Sequence, residues 1–162
     1  MEKLALDILA LLKQDARLTH GNIAKTLGVS EAEVAKTVRT LEERGVILGY
    51  TTLTDDRAMD SDCVEALIEV KVNPMYGRGF DAIAEDIYKF DRVKSLYLMS
   101  GGYDLAVFVE GKNLREVAAF VSEKLSVMDK VLSTATHFIL KKYKIEGEMT
   151  VADENRRQPV TP

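Results

Sequence analysis

Tryptophan is absent from this 162-residue chain, cysteine occurs once, histidine twice and proline three times. Each shortage excludes something. A single cysteine, Cys63, allows no intrachain disulfide and suits a reducing, cytoplasmic setting. His20 and His137 have neither a second histidine nor a cysteine at metal-ligand spacing, so no metal and no cofactor is expected. No apolar run approaches the ~20 residues of a membrane span. The N-terminal M-E-K-L-A-L-D-I-L is interrupted by Asp7, where a signal peptide would stay apolar. Bulk positive charge is also missing, because the net charge is −4. Residues 1–50 carry seven basic and seven acidic side chains, so the acidic excess belongs to the rest. A neutral N-terminal part can bind nucleic acid if its basic groups share a face, but it will not bind indiscriminately.

What is present is organised around residues 20–45, H-G-N-I-A-K-T-L-G-V-S-E-A-E-V-A-K-T-V-R-T-L-E-E-R-G. Ile23, Ala24 and Leu27 fall on one face of a short helix. Gly28 stands where that helix needs a left-handed residue to stop. Ser30 with Glu33 three residues on is a capping-box pattern, and it predicts a second helix with Val34, Val38 and Leu41 buried. Two helices joined by a glycine-containing turn match a helix-turn-helix. On the outward face, Lys36 and Arg39 suit phosphate or guanine, and Thr37 and Thr40 suit phosphate or a thymine methyl. Ser30 and Glu33 flank them, and these six are the candidate DNA-contacting residues. The bland alternative is a solvated helix face.

A preceding helix is expected at 4–14, with Leu4, Ile8, Leu11 and Leu12 as its stripe. Residues 46–53, V-I-L-G-Y-T-T-L, turn β-branched and aromatic and predict a strand or wing. This closes an N-terminal domain at 1–53. A polar linker follows at 54–61. Residues 62–147 then read strand, helix, strand, strand, helix, strand: 64–72, 80–90, 93–100, 103–110, 113–127 and 131–144. Expected turns lie at 73–78 and at Gly101-Gly102. The first helix is expected to bury Phe80, Ile83, Ala84 and Ile87, and the second Leu114, Val117, Ala118, Val121 and Leu125. That order is the ferredoxin-like split β-α-β arrangement, so the chain is α+β. Residues 148–162 read as a disordered tail. Strands 93–100 and 103–110 are apolar on both faces, with Ala106 and Phe108 opposing Leu105, Val107 and Val109. A sheet uncovered on one side should be polar there, so a second copy is expected to cover it.

These features together resemble the Lrp/AsnC family of leucine-responsive, or feast/famine, transcriptional regulators. The segments that carry the resemblance are L-G-V-S-E-A-E-V, L-E-E-R-G-V-I, G-Y-T-T-L, L-M-S-G-G-Y-D-L-A-V and T-A-T-H-F-I-L-K-K-Y-K. The resemblance implies a homodimer, often assembled to tetramers or octamers, that binds double-stranded promoter DNA and answers to an amino acid or related small metabolite. It places the effector at Gly101, Gly102, Tyr103 and Asp104, between neighbouring dimers, with hydroxyls from Thr134 and Thr136. Chemically, Asp104 suits an α-ammonium group and bare glycine N–H groups suit an α-carboxylate. A plain hairpin turn and ordinary strand threonines remain the alternatives at these positions. The same architecture also resembles a group of tetrapyrrole (sirohaem) decarboxylases, whose histidine- and arginine-containing segments are not found here. A stand-alone effector module with a degenerate DNA head is a third reading. A non-enzymatic regulator is the expectation.

Overall fold

The computed structural model describes residues 2–55, 63–73 and 79–150. It divides into two compact units, 1–54 and 55–162. The expected linker at 54–61 and turn at 73–78 fall for the most part outside the described residues.

Unit one packs three helices: α1 (Lys3–Gln14), α2 (His20–Leu27) and α3 (Glu31–Glu43). Ile8, Ile23, Ala24, Val34 and Val38 form its core, with Leu4, Leu11, Leu12, Leu18, Leu27, Val29 and Ile47 packed around them. The local signals fold as their chemistry dictates. Thr19 Oγ accepts the Asn22 N–H at the start of α2. Gly28 ends that helix at φ 69°, in the left-handed region that a side chain disfavours.

The strand expected at 46–53 does not form in this chain: residues 48–55 carry no regular structure. A strand is defined by its neighbour, and among the described residues of this unit there is none to supply a ladder. Leu48 is left 94% exposed.

Unit two is a four-stranded antiparallel sheet in the order β2-β3-β1-β4. Its strands are β1 (Val64–Val72), β2 (Val93–Leu98), β3 (Leu105–Gly111) and β4 (Val131–Phe138). Helices α4 (Asp81–Tyr88) and α5 (Leu114–Phe120) complete the ferredoxin-like order. One sheet face presents Ala66, Ile68, Val70, Val72, Leu105, Val107 and Val109 to Ile83, Ile87, Val117, Phe120 and Leu125 of the helical layer.

Helix α5 is phased differently from its apolar pattern. Leu114 and Ala118 are exposed and Phe120 is buried. Val117, buried as expected, seats against Gly111, where an added Cβ would stand 2.9 Å from Val117 Cγ2. The helix widens into a π turn at Val121–Leu125, where the Ser126 N–H reaches the Val121 carbonyl at 2.8 Å. Both middle strands are shorter than their patterns, and residues 99–104 form the connection. Strand β4 ends at Phe138 rather than 144: its last pair is Phe138 with Ala66, near the start of β1, and one more bond follows, from the Ile139 N–H to the Glu65 carbonyl at 2.9 Å. The chain then forms a small hairpin, β5 (Lys144–Ile145) and β6 (Glu148–Met149), turning through Glu146 and Gly147 at positive φ. Residues 148–149, expected in the tail, are therefore ordered. The rest of that tail, 151–162, lies outside the described residues.

A clamp joins the start of β2 to α5. Arg92 Nη1 donates to Glu116 at 2.7 Å, and the Lys112 N–H donates to the same carboxylate at 3.1 Å. The Arg92 hydrogen bond first, and the Lys112 N–H second, hold the Glu116 carboxyl below its ordinary 4.5. A lowered native pKa contributes stability above 4.5 that is lost as pH falls through the lower folded value. Thermal melts should therefore place Glu116→Gln below the wild type at pH 7, with the gap closing in acid; a gap that persists in acid would assign the effect to packing.

Among the described residues the second sheet face carries no helix. Leu67 stands opposite Phe108, Ala106 opposite Tyr97, and Tyr97 meets Phe108 edge-on at 6.0 Å. Polar pairs surround this apolar centre: Lys142 with Glu65, Lys94 with Glu110 at 3.3 Å, and the His137 ring with Glu69 at 3.4 Å. Glu65 and Glu110 oppose each other directly, and each has its own lysine.

Candidate functional site

In unit one the candidate site is α3. Ser30 Oγ accepts the Glu33 N–H at 3.2 Å, and the Glu33 carboxylate accepts the Ser30 N–H at 3.3 Å and its hydroxyl at 3.0 Å. Both side chains are spent on the cap, which fixes where the helix starts and how it points. Lys36 and Arg39 are exposed one turn apart, Thr37 is half-buried, and Thr40 donates its hydroxyl to the Lys36 carbonyl. Lys36, Arg39 and Thr40 thus share an accessible stretch, while Ser30 and Glu33 shape it.

Beside this stretch lies a cleft of about 380 Å³, lined by Leu12, Leu18, His20, Val38, Arg39, Glu42 and Tyr50 among others. Tyr50 folds back from the extended segment and donates its hydroxyl to Glu42 at 3.0 Å. Burial and the hydrogen bond to Glu42 raise the tyrosine pKa, which keeps it a proton donor. Sequence reasoning did not find this contact. The pattern of 46–53 signals a strand and says nothing of a side chain returning to a helix.

In unit two the candidate site is the 99–104 connection. The Met99 N–H binds the Asp104 carbonyl at 2.8 Å, and the Asp104 N–H binds the Val70 carbonyl at 3.1 Å. The Asp104 carboxylate accepts the Val72 N–H at 2.9 Å. It braces β1 where the β1–β4 register shifts between Lys71 and Val72. Gly101 and Gly102 are exposed, neither has positive φ, and a Cβ on either would meet nothing within 4 Å. The glycine pair is therefore no two-residue hairpin turn, and nothing in the backbone demands glycine there. Tyr103 is half-buried.

Thr134 and Thr136 oppose Val70 and Ile68, so they lie on the helix-covered face. Thr134 Oγ1 sits 3.2 Å from Ser126 Oγ, just beyond the π turn. Strand β1 stands between β3 and β4, which separates the threonines from the 101–104 connection by two strand spacings, about 10 Å. The fold of one chain does not bring these two groups together.

A capped helix-turn-helix in one unit and a ferredoxin-like sheet in the other define a two-part regulator. The family description "Lrp/AsnC ligand binding domain" matches residues 65–149, and "Winged helix-turn-helix DNA-binding" matches residues 1–47. YugG of Bacillus subtilis, described as an uncharacterized HTH-type transcriptional regulator, is 46% identical over 158 residues, 96% of this chain and 95% of its own length. Two crystal structures share the fold. The leucine response regulatory protein LrpA of Mycobacterium tuberculosis superposes with TM-score 0.75 at 20% identity, over 93% of this chain and 100% of that one. The regulator NMB0573 of Neisseria meningitidis, in complex with L-Met, gives TM-score 0.69 at 21% identity, over 90% and 93%. The chain belongs to the Lrp/AsnC family. It is a DNA-binding transcriptional regulator with a domain for a small-molecule effector.

Proposed function

We propose that the chain acts as a homo-oligomer, reads promoter DNA through Lys36, Thr37, Arg39 and Thr40, and answers to an α-amino acid. Ser30 and Glu33 serve this indirectly, by holding the reading helix at a fixed start. Near-neutral charge in the first unit makes each head a modest binder, so affinity depends on two or more heads acting together. The second copy packs on the open sheet face, where an apolar centre lies inside a ring of polar pairs.

The observation that carries the effector reading is the juxtaposition at 101–104. Two exposed glycines, whose N–H groups make no hydrogen bond among the described residues, sit beside one carboxylate whose second oxygen has no partner there. N–H groups suit the ligand's carboxylate and Asp104 suits its ammonium. The neighbour solved with L-Met supports the ligand class. Thr134 and Thr136 join such a pocket only if they come from a different copy, so ligand occupancy and assembly are linked.

Calorimetric titration of the full chain with the standard amino acids tests this. One of them should bind, and Asp104→Asn should weaken it about tenfold or more, since a charge-assisted hydrogen bond is worth roughly 1.5–3 kcal/mol. Asparagine still accepts the Val72 N–H, so the brace survives and only the charge is lost. Equal binding by wild type and variant would reduce Asp104 to that brace; no amino acid binding at all would sink the effector reading.

A further inference from the structure

We propose that Tyr50 is a positioning residue for DNA binding: its hydroxyl anchors the Glu42 carboxylate and so keeps it from the Arg39 guanidinium. This rests on the reading of Arg39 as a DNA contact. Residues three apart on a helix are surface neighbours, and an arginine there readily pairs with a carboxylate. Arg39 and Glu42 line one cleft, yet Arg39 makes no ion pair among the described residues. Glu42 is instead held by Tyr50 at 3.0 Å. An arginine already paired with its own helix has to break that pair before it can neutralise a phosphate. An arginine left open carries its full charge to the DNA and releases a counterion there.

Tyr50 reaches Glu42 from a segment without regular structure, and it lines one wall of the cleft. Its raised pKa keeps the hydroxyl protonated, so the anchor is present at any ordinary pH. Glu43, four residues beyond Arg39, is the competing carboxylate that Tyr50 does not touch. Glu42, unlike Glu43, lines the cleft together with Arg39, so it is the carboxylate whose anchoring matters there.

The test is fluorescence anisotropy of the full-length protein on a mixed-sequence DNA duplex across a salt series. Tyr50→Phe keeps the ring and removes the anchor. It should weaken binding roughly three- to fivefold, the scale of one exposed ion pair. Adding Glu42→Gln to it should restore wild-type binding, and adding Glu43→Gln should not. A tyrosine that merely packs would show no such selective rescue. Wild-type affinity in Tyr50→Phe, or an equal gain from Glu42→Gln in both backgrounds, overturns the positioning role. Arg39→Ala separates the two readings: if it binds like the wild type, the DNA-contact reading fails and takes this inference with it. If Arg39→Ala weakens binding and Tyr50→Phe does not, only the positioning role fails.

Discussion

Lys36→Ala combined with Arg39→Ala should cost the protein roughly two orders of magnitude in DNA affinity at low salt. Each cation that neutralises a phosphate releases about 0.9 of a counterion, so each lost contact lowers the salt slope by about one. Two contacts per helix and two helices per dimer lower it by up to about four. The loss should be uniform across sequences if both residues meet phosphates. It should be larger on the specific site if Arg39 meets a guanine, where a bidentate contact discriminates by about 1–3 kcal/mol. The helix itself should be unaffected, because neither side chain belongs to the core or the cap. Circular dichroism on the same samples checks that. An unchanged affinity and slope with an intact helix would remove α3 from the interface.

Phe108→Glu should leave the protein largely monomeric. Phe108 is only half-buried in one chain, opposite Leu67 and edge-on to Tyr97, at the centre of the open sheet face. A two-fold contact through this face would bury two copies of the new carboxylate in the apolar centre beside Leu67 and Tyr97, while Lys142 and Lys94 already face Glu65 and Glu110. Burying an unpaired ion costs several kcal/mol, enough to raise a dimer dissociation constant a hundredfold or more. Leu132→Glu is the control, because Leu132 is 67% exposed and lies off that centre, at the register shift of β4. Sedimentation should separate the two variants. A dimer that survives Phe108→Glu would place the second copy elsewhere.

The helix-turn-helix was legible because its signals are local. Ser30, Glu33 and Gly28 act within a few residues of themselves, and the stripe Val34, Val38, Leu41 follows from one helical period. The buried faces of β1 and β3 were legible because alternation in 64–72 and 105–109 shows which residues share a face. The departures all involve something a local pattern does not contain. A strand at 46–53 needs a partner that the described residues of the unit do not supply. Phe120 is buried in place of Leu114, edge-on to Phe90 at 5.2 Å, a contact between separate elements. At the candidate sites, residue chemistry pointed to Lys36, Arg39 and Asp104. It could not anticipate that Asp104 also braces Val72, that Ser30 and Glu33 occupy each other, or that Tyr50 holds Glu42.

The order β2-β3-β1-β4 places β1 in the middle, and its pairing from Ala66–Phe138 onward joins the two ends of the second unit. Contacts so distant along the chain must pay for closing a long loop before they gain anything, which makes such a sheet slow to form. The three helices before it contact one another over short separations and have no such delay. During synthesis, then, the DNA-reading helices are complete while β1 still waits for β4 to leave the ribosome. For that interval a nascent chain has its helix-turn-helix but not its four-stranded sheet. On the proposed pairing through the open sheet face, assembly waits for β4 rather than for the first helices.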